Sequence, residues 1–141
     1  MSEADLNAKL IREFHDAQNR FYAGGDQDQV RAMLAEDVAW HVPGRSALAG
    51  DYRGRDEVLR YFARRRELAA STFRIAVRGV LADDERAVIF AGGQVQRDGD
   101  TFAWETVGVF RTADHKIAEC WVLPYDQYSF DEIWSPAVGP R

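Results

Sequence analysis

Apolar side chains recur at steps of four and three along the start of the chain. Leu6, Leu10, Phe14, Ala17 and Phe21 predict an amphipathic helix from about residue 3 to Tyr22, ended by Gly24-Gly25. A shorter helix follows, which Asp26 or Asp28 can cap and which Val30, Met33 and Leu34 provide with one buried side. Val38, Trp40 and Val42 then alternate with Ala39 and His41 up to Pro43-Gly44, the signature of a strand of about five residues. Past the glycine-bounded segment from Leu48 to Gly54, Arg55-Asp56 opens a third helix to about Ala70, with Val58, Leu59, Phe62 and Leu68 on one side. From Thr72 the hydrophobic period drops from 3.6 to 2. Four strands are expected near 72–82, 86–97, 101–112 and 116–126, joined by Asp83-Asp84, Asp98-Gly99-Asp100 and Ala113-Asp114-His115.

Three helices beside an antiparallel meander give an α+β layer architecture in which one sheet face is buried against the helices. In the third long strand Phe102, Trp104, Thr106 and Phe110 project to one side and Ala103, Val107 and Val109 to the other. Both faces are apolar, so both need cover, and a second copy of the chain is the expected cover for the outer one. One domain spanning 1–141 is expected, with its core at about 5–134 and a loose tail at 135–141.

Composition narrows the function classes. At 46% hydrophobic and 29% charged residues the chain is of ordinary globular type, and no apolar run approaches the length of a bilayer span. A net charge of −5 argues against nucleic acid as a partner. One cysteine and three histidines without CxxC or His-x-x-x-His spacing give no metal site. The acidic N-terminus lacks the features of a secretory signal, so a cytoplasmic location is expected.

The order of these elements, together with Ala35-Glu36-Asp37-Val38-Ala39-Trp40 and Gly50-Asp51-Tyr52-Arg53-Gly54-Arg55-Asp56-Glu57-Val58, resembles the SnoaL-like branch of the nuclear transport factor 2-like superfamily over about residues 5–134. The resemblance implies a cystatin-like, cone-shaped α+β barrel, with three N-terminal helices on a curved antiparallel sheet around one apolar pocket. It implies a bacterial protein that dimerises through the outer sheet face. That superfamily hosts isomerases, cyclases, epoxide hydrolases, dehydratases and non-catalytic binders, so the residues must choose.

Carried over residue by residue, the resemblance rejects steroid-isomerase chemistry: Val42 stands at the base position, Gln18 at that of the helix-one tyrosine and Val107 at that of the protonated aspartate. Val122 falls where an epoxide hydrolase would need a carboxylate, and Asp126 is the carry-over of the cyclases' acid-base residue. If Val42 and Val107 face the pocket, strand parity puts Trp40, Glu105, Val109, Cys120 and Val122 there too, and Trp104 and Trp121 on the outer side.

The expected site therefore has Asp126 and Glu105 as acid-base groups. Gln18, Tyr22, His15, Trp40, Val42, Tyr52, Val107, Cys120 and Val122 are the expected ligand contacts. Asp126 could instead cap the turn 128–132, and Glu105 could pair with an arginine. His41 alternates away from the pocket, and Arg64-Arg65-Arg66 reads as a solvated helix face. The expected function is a cofactor-independent isomerase, cyclase or hydrolase acting on a small apolar carbonyl compound. The alternative is a non-catalytic binder of a small hydrophobic ligand. In either case the outer face, with Trp104, Phe102, Phe110 and Trp121 near its centre, is expected to form a homodimer.

Overall fold

Ser2 and Asp5 start the first helix. The Ser2 hydroxyl accepts the Asp5 N–H at 3.1 Å and the Asp5 carboxylate accepts the Ser2 N–H at 3.2 Å, so two otherwise orphaned donors are satisfied reciprocally. The computed structural model describes residues 1–135, and the expected tail beyond Ser135 lies outside the described residues. The order is α1 (Glu3–Tyr22), α2 (Asp28–Met33), β1 (Leu34–Val42), β2 (Gly50–Arg53), α3 (Arg55–Leu68), β3 (Arg74–Ala82), β4 (Arg86–Arg97), β5 (Asp100–Ala113), β6 (Lys116–Pro124) and α4 (Gln127–Ile133). No helix among the described residues is long and apolar enough to cross a membrane.

The six strands form one sheet in the order β2-β1-β6-β5-β4-β3, which curves around the helices without closing. Every neighbouring pair is antiparallel except β1 and β6. That parallel pairing draws Leu34 into the strand opposite Ile117, so β1 begins earlier than the local alternation of 38–42 indicates. α1 crosses the inner face and fastens the edge strand β3: the Asn19 amide donates to Ile75 O at 2.8 Å and accepts from Ile75 N at 2.9 Å. Phe14 stands at the centre of the core, with Trp40 at 5.9 Å, Phe62 at 6.1 Å and Phe110 at 6.3 Å between ring centroids.

Rows of directly paired residues fix the direction of each side chain. Phe110, Cys120, Trp40 and Tyr52 form one inward row, while Val88, Val109, Trp121, His41 and Asp51 form an outward one. The expected faces of β1 and β6 agree with this, but those of β5 are reversed. Trp104 packs on Trp134, Phe130 and Phe73, and Phe110 is 2% exposed. Phe102 shares their face opposite Val95 at the end of the sheet. Glu105, Val107 and Val109 stand on the opposite parity. The reason is a register shift: Arg111 pairs with Glu119 but Thr112 with Ile117, leaving Ala118 as an extra residue in β6. An unbulged hairpin would set Val107 opposite Val122. The bulge sets Val107 opposite Leu123 and Gly108 opposite Val122, which exchanges the two faces of β5.

On the outer face the His41 ring stacks on Trp121 at 5.3 Å and bridges two carboxylates, Asp51 at Nδ1 and Glu119 at Nε2, both at 2.6 Å. Burial opposes the charged ring, but the bonds to Asp51 and Glu119 outweigh it and hold the His41 pKa above 6.5. Because the folded value is the higher one, this contribution is full below pH 6.5 and fades as pH rises through the raised value. His41→Gln is therefore expected to cost up to about 1 kcal/mol at pH 6 and less at pH 9, the ion pair being partly open to solvent. Urea unfolding at the two pH values measures this, and an equal cost at both would contradict it.

Candidate functional site

Between the inner sheet face and helices α1, α3 and α4 lies a cavity of about 60 Å³. Its walls are mostly apolar: Ile89, Ala91, Val122, Phe73, Phe110, Phe130, Trp104 and Trp134 all line it. Two glycines on the inner face adjust its shape. A Cβ at Gly93 would run into the Trp104 ring, and one at Gly108 would come within 2.9 Å of Phe110. The polar lining comes from few residues, namely His15 and Gln18 from α1, Trp40 from β1, Arg65 from α3, Thr106 and Cys120.

Arg65 is the least expected of these. In α3 the buried positions are Val58, Leu59, Tyr61, Phe62 and Arg65, so the arginine continues the apolar stripe by one further turn. It is 8% exposed, and its guanidinium carbon lies 4.6 Å from the Tyr61 ring centroid, 4.9 Å from Phe62, 5.3 Å from Phe73 and 5.4 Å from Tyr22. Aromatic faces attract a cation, but they accept no strong hydrogen bond. Nε and Nη2 have no hydrogen-bond partner among the described residues. The same holds for Gln18 Nε2 and Trp40 Nε1, both on buried residues of the cavity wall. Buried donors without acceptors are rare because each costs about 1–3 kcal/mol in lost hydration. Arg65 was read from sequence as part of a solvated run. The signal that locates it is its spacing from Leu59 and Phe62, which places it on the core face of the helix.

His15 is buried, and its Nδ1 lies 2.8 Å from the Ile11 carbonyl. A carbonyl only accepts, so Nδ1 donates and Nε2 keeps its lone pair. Burial first, and Arg65 as well, lower its pKa to about 4, leaving the ring neutral at physiological pH. Burial also raises the Cys120 thiol well above its ordinary range, so it stays protonated and unreactive.

The two expected acid-base carboxylates are not in the cavity. Glu105 points outward by its parity and is held by Arg78 through Nε at 2.8 Å and Nη2 at 2.7 Å, both side chains being exposed. Asp126 is the N-cap of α4: one oxygen accepts Tyr128 N at 3.0 Å and Ser129 N at 3.2 Å, the other Ser129 Oγ at 3.0 Å. The bonds from Ser129, backbone first, hold its carboxyl below the ordinary range, the opposite of what a general acid needs.

Of the expected ligand contacts, the structure brings His15, Gln18, Trp40, Cys120, Val122 and Val107 to the cavity. Val107 belongs to the outward row and takes part at the margin. Tyr22, Val42 and Tyr52 do not line it. Tyr22 packs on Phe73 at 4.6 Å, and burial pushes its phenol up to about 12. Val42 is core, and Tyr52 stacks on Tyr61 at 4.5 Å while its hydroxyl donates to Leu48 O at 2.6 Å.

Residues 11–120 match the SnoaL-like domain family. An uncharacterized protein of Mycobacterium tuberculosis is 34% identical over 87 residues, a stretch covering 62% of this chain and 62% of that protein's length. Among solved structures, Bal32a from a soil-derived mobile gene cassette superposes with a TM-score of 0.86 at 29% identity, covering 94% of this chain and 99% of its own. A Xanthomonas campestris protein with a cystatin-like fold reaches 0.81 at 24% identity, covering 96% of this chain and 100% of its own.

Since Asp126 caps the helix that brings Phe130 to the cavity and leads into Trp134, Asp126→Ala is expected to lower the melting temperature. Thermal unfolding measures the loss. Asp126→Asn, which keeps an acceptor at the cap, should recover most of it, and failure to do so would argue against the capping role.

Proposed function

The chain belongs to the SnoaL-like domain family, and we propose that its cavity binds a small, largely apolar molecule bearing an oxygen function. The observation that carries this reading is the set of buried donors without partners, among the described residues, on Arg65, Gln18 and Trp40, three residues of an otherwise mostly apolar cavity wall. An apolar occupant covers the aromatic walls, and its oxygen takes the hydrogen bonds those donors lack. This keeps the small carbonyl compound expected from sequence and discards the carboxylate mechanism, since Glu105 and Asp126 are engaged elsewhere.

A second reading, an isomerase-type enzyme, draws on His15. Its neutral ring has a free lone pair on Nε2 and stands edge-on to Phe110 at 5.7 Å, on the same cavity as Arg65. A base that takes a proton beside a carbonyl, with donors on the same cavity to hold the resulting oxyanion, is the minimal set of groups for enolisation.

A second copy of the chain is the proposed partner of the outer sheet face. Phe90, Val107 and Leu123 lie in one paired row and Val88, Val109 and Trp121 in the next, with Phe90 38% and Leu123 46% exposed. These residues replace Trp104, Phe102 and Phe110 at the centre of the proposed interface.

A panel of small ketones and enones, measured by thermal shift and by proton exchange into deuterated water, tests the pocket. At a hundredfold excess over Kd a ligand adds about 2.7 kcal/mol, which several degrees of Tm would report. No stabilisation by any member would sink the binding reading. Exchange in the native protein that His15→Phe abolishes would support the enzyme, and stabilisation without exchange the binder. Separately, Phe90→Glu should weaken self-association more than tenfold, equivalent to about 1.4 kcal/mol or more. Light scattering that shows a monomer for the native chain overturns the dimer.

A further inference from the structure

We infer that the occupant of this cavity is a short-chain carboxylate and that Arg65 is its counter-ion, an assignment that rests on the small-molecule reading given above.

A guanidinium keeps its charge throughout the ordinary pH range, and a buried one is normally paired with an anion. Arg65 is 8% exposed, yet among the described residues no carboxylate lies within ion-pair distance of it. The chain does build such pairs elsewhere: Arg78 holds Glu105, Arg86 holds Asp83, and Arg111 holds Glu119. What surrounds Arg65 is aromatic, with the buried Tyr22 hydroxyl as the neighbouring polar group, and neither the ring faces nor that neutral hydroxyl supplies the negative charge a buried guanidinium calls for.

The unused groups have a definite geometry. Nε and Nη2 form one edge of the guanidinium fork, with parallel N–H bonds spaced to meet the two oxygens of a carboxylate. A ketone oxygen would occupy one of them and leave the other bare. Gln18 Nε2 and Trp40 Nε1 are further unpaired donors on the same wall, so the polar side of the cavity asks for several acceptor lone pairs. The other titratable groups there do not compete, since His15 is neutral and the Cys120 thiol protonated.

Size limits the rest of the molecule. At about 60 Å³ the cavity falls well short of the ~150 Å³ that accommodates benzene, so its occupant is smaller than a six-membered aromatic ring. A carboxylate with two to four carbons fits, its stem lying against Ile89, Val122 and Phe110.

Calorimetric titration of the full chain with crotonate and with crotonamide at constant ionic strength tests the assignment, because the two differ only in the charged group. Crotonate should bind at least tenfold more tightly. Arg65→Met, which fills the space without charge, should lose that preference, and Arg65→Lys should retain part of it. Circular dichroism confirms that the variants are folded, and should they not fold, the comparison of the two compounds on the native chain still decides. Equal affinities for crotonate and crotonamide overturn the carboxylate while the pocket survives. Equal affinity for crotonate and nitrate overturns it as well, in favour of any small anion. If neither compound nor any ketone of the panel binds, the small-molecule reading itself falls.

Discussion

The parallel pairing of β1 with β6 is the constraint on which the rest of the molecule depends. All other strand pairs join strands that are neighbours in sequence, and within the meander β3–β6 each strand pairs with the one that precedes or follows it. Pairing Trp40 with Cys120 and His41 with Trp121 adds the N-terminal part of the chain to that sheet. α1 and α3, which flank β1 in sequence, are thereby held over the inner face, where Phe14 and Phe62 meet Phe110 and Trp40. The cavity exists because of this closure, since its walls are drawn from both parts of the chain.

Helix and strand positions were legible because they rest on local periodicity. The four strands of the meander end within about two residues of their expected limits. The direction of a side chain was not equally legible. In β6 the parity of Cys120 and Val122 could be counted correctly, but β5 was counted through the turn at Lys116-Ile117, and the extra residue at Ala118 lies within that count. A bulge leaves no mark in an apolar stretch such as Ile117-Ala118, so Glu105 was assigned inward and Trp104 outward. Arg65 was missed for another reason. Charge is ordinarily the best guide to exposure, and three successive arginines suggest a wet surface, whereas helical spacing sets the middle one among Tyr61, Phe62 and Tyr22.

The electrostatics of the two sheet faces are opposed. Outside, carboxylates and bases compensate one another: Glu119 serves both His41 and Arg111, and Glu105 serves Arg78. Inside there is a guanidinium that no carboxylate of the described residues compensates, within a protein whose net charge is −5. For the carboxylate proposed above, the net charge of −5 makes the far field unfavourable and Arg65 makes the near field favourable, so its selectivity would rest on contact at the arginine and not on attraction from a distance.

Asn19 has a consequence beyond tying α1 to the sheet. Its side-chain amide presents to Ile75 the donor and the acceptor that a neighbouring strand would present, at 2.8 and 2.9 Å. An unprotected edge strand is a template on which another chain can crystallise as added β-structure, the first step towards fibrils. β3 is an edge of this sheet, and at Ile75 its recruiting groups are already occupied by a residue that cannot propagate the pattern. At Ile75 the helix thus terminates the lattice of hydrogen bonds as a stopper atom terminates a polymer, and one amide closes that point of the edge to a further strand.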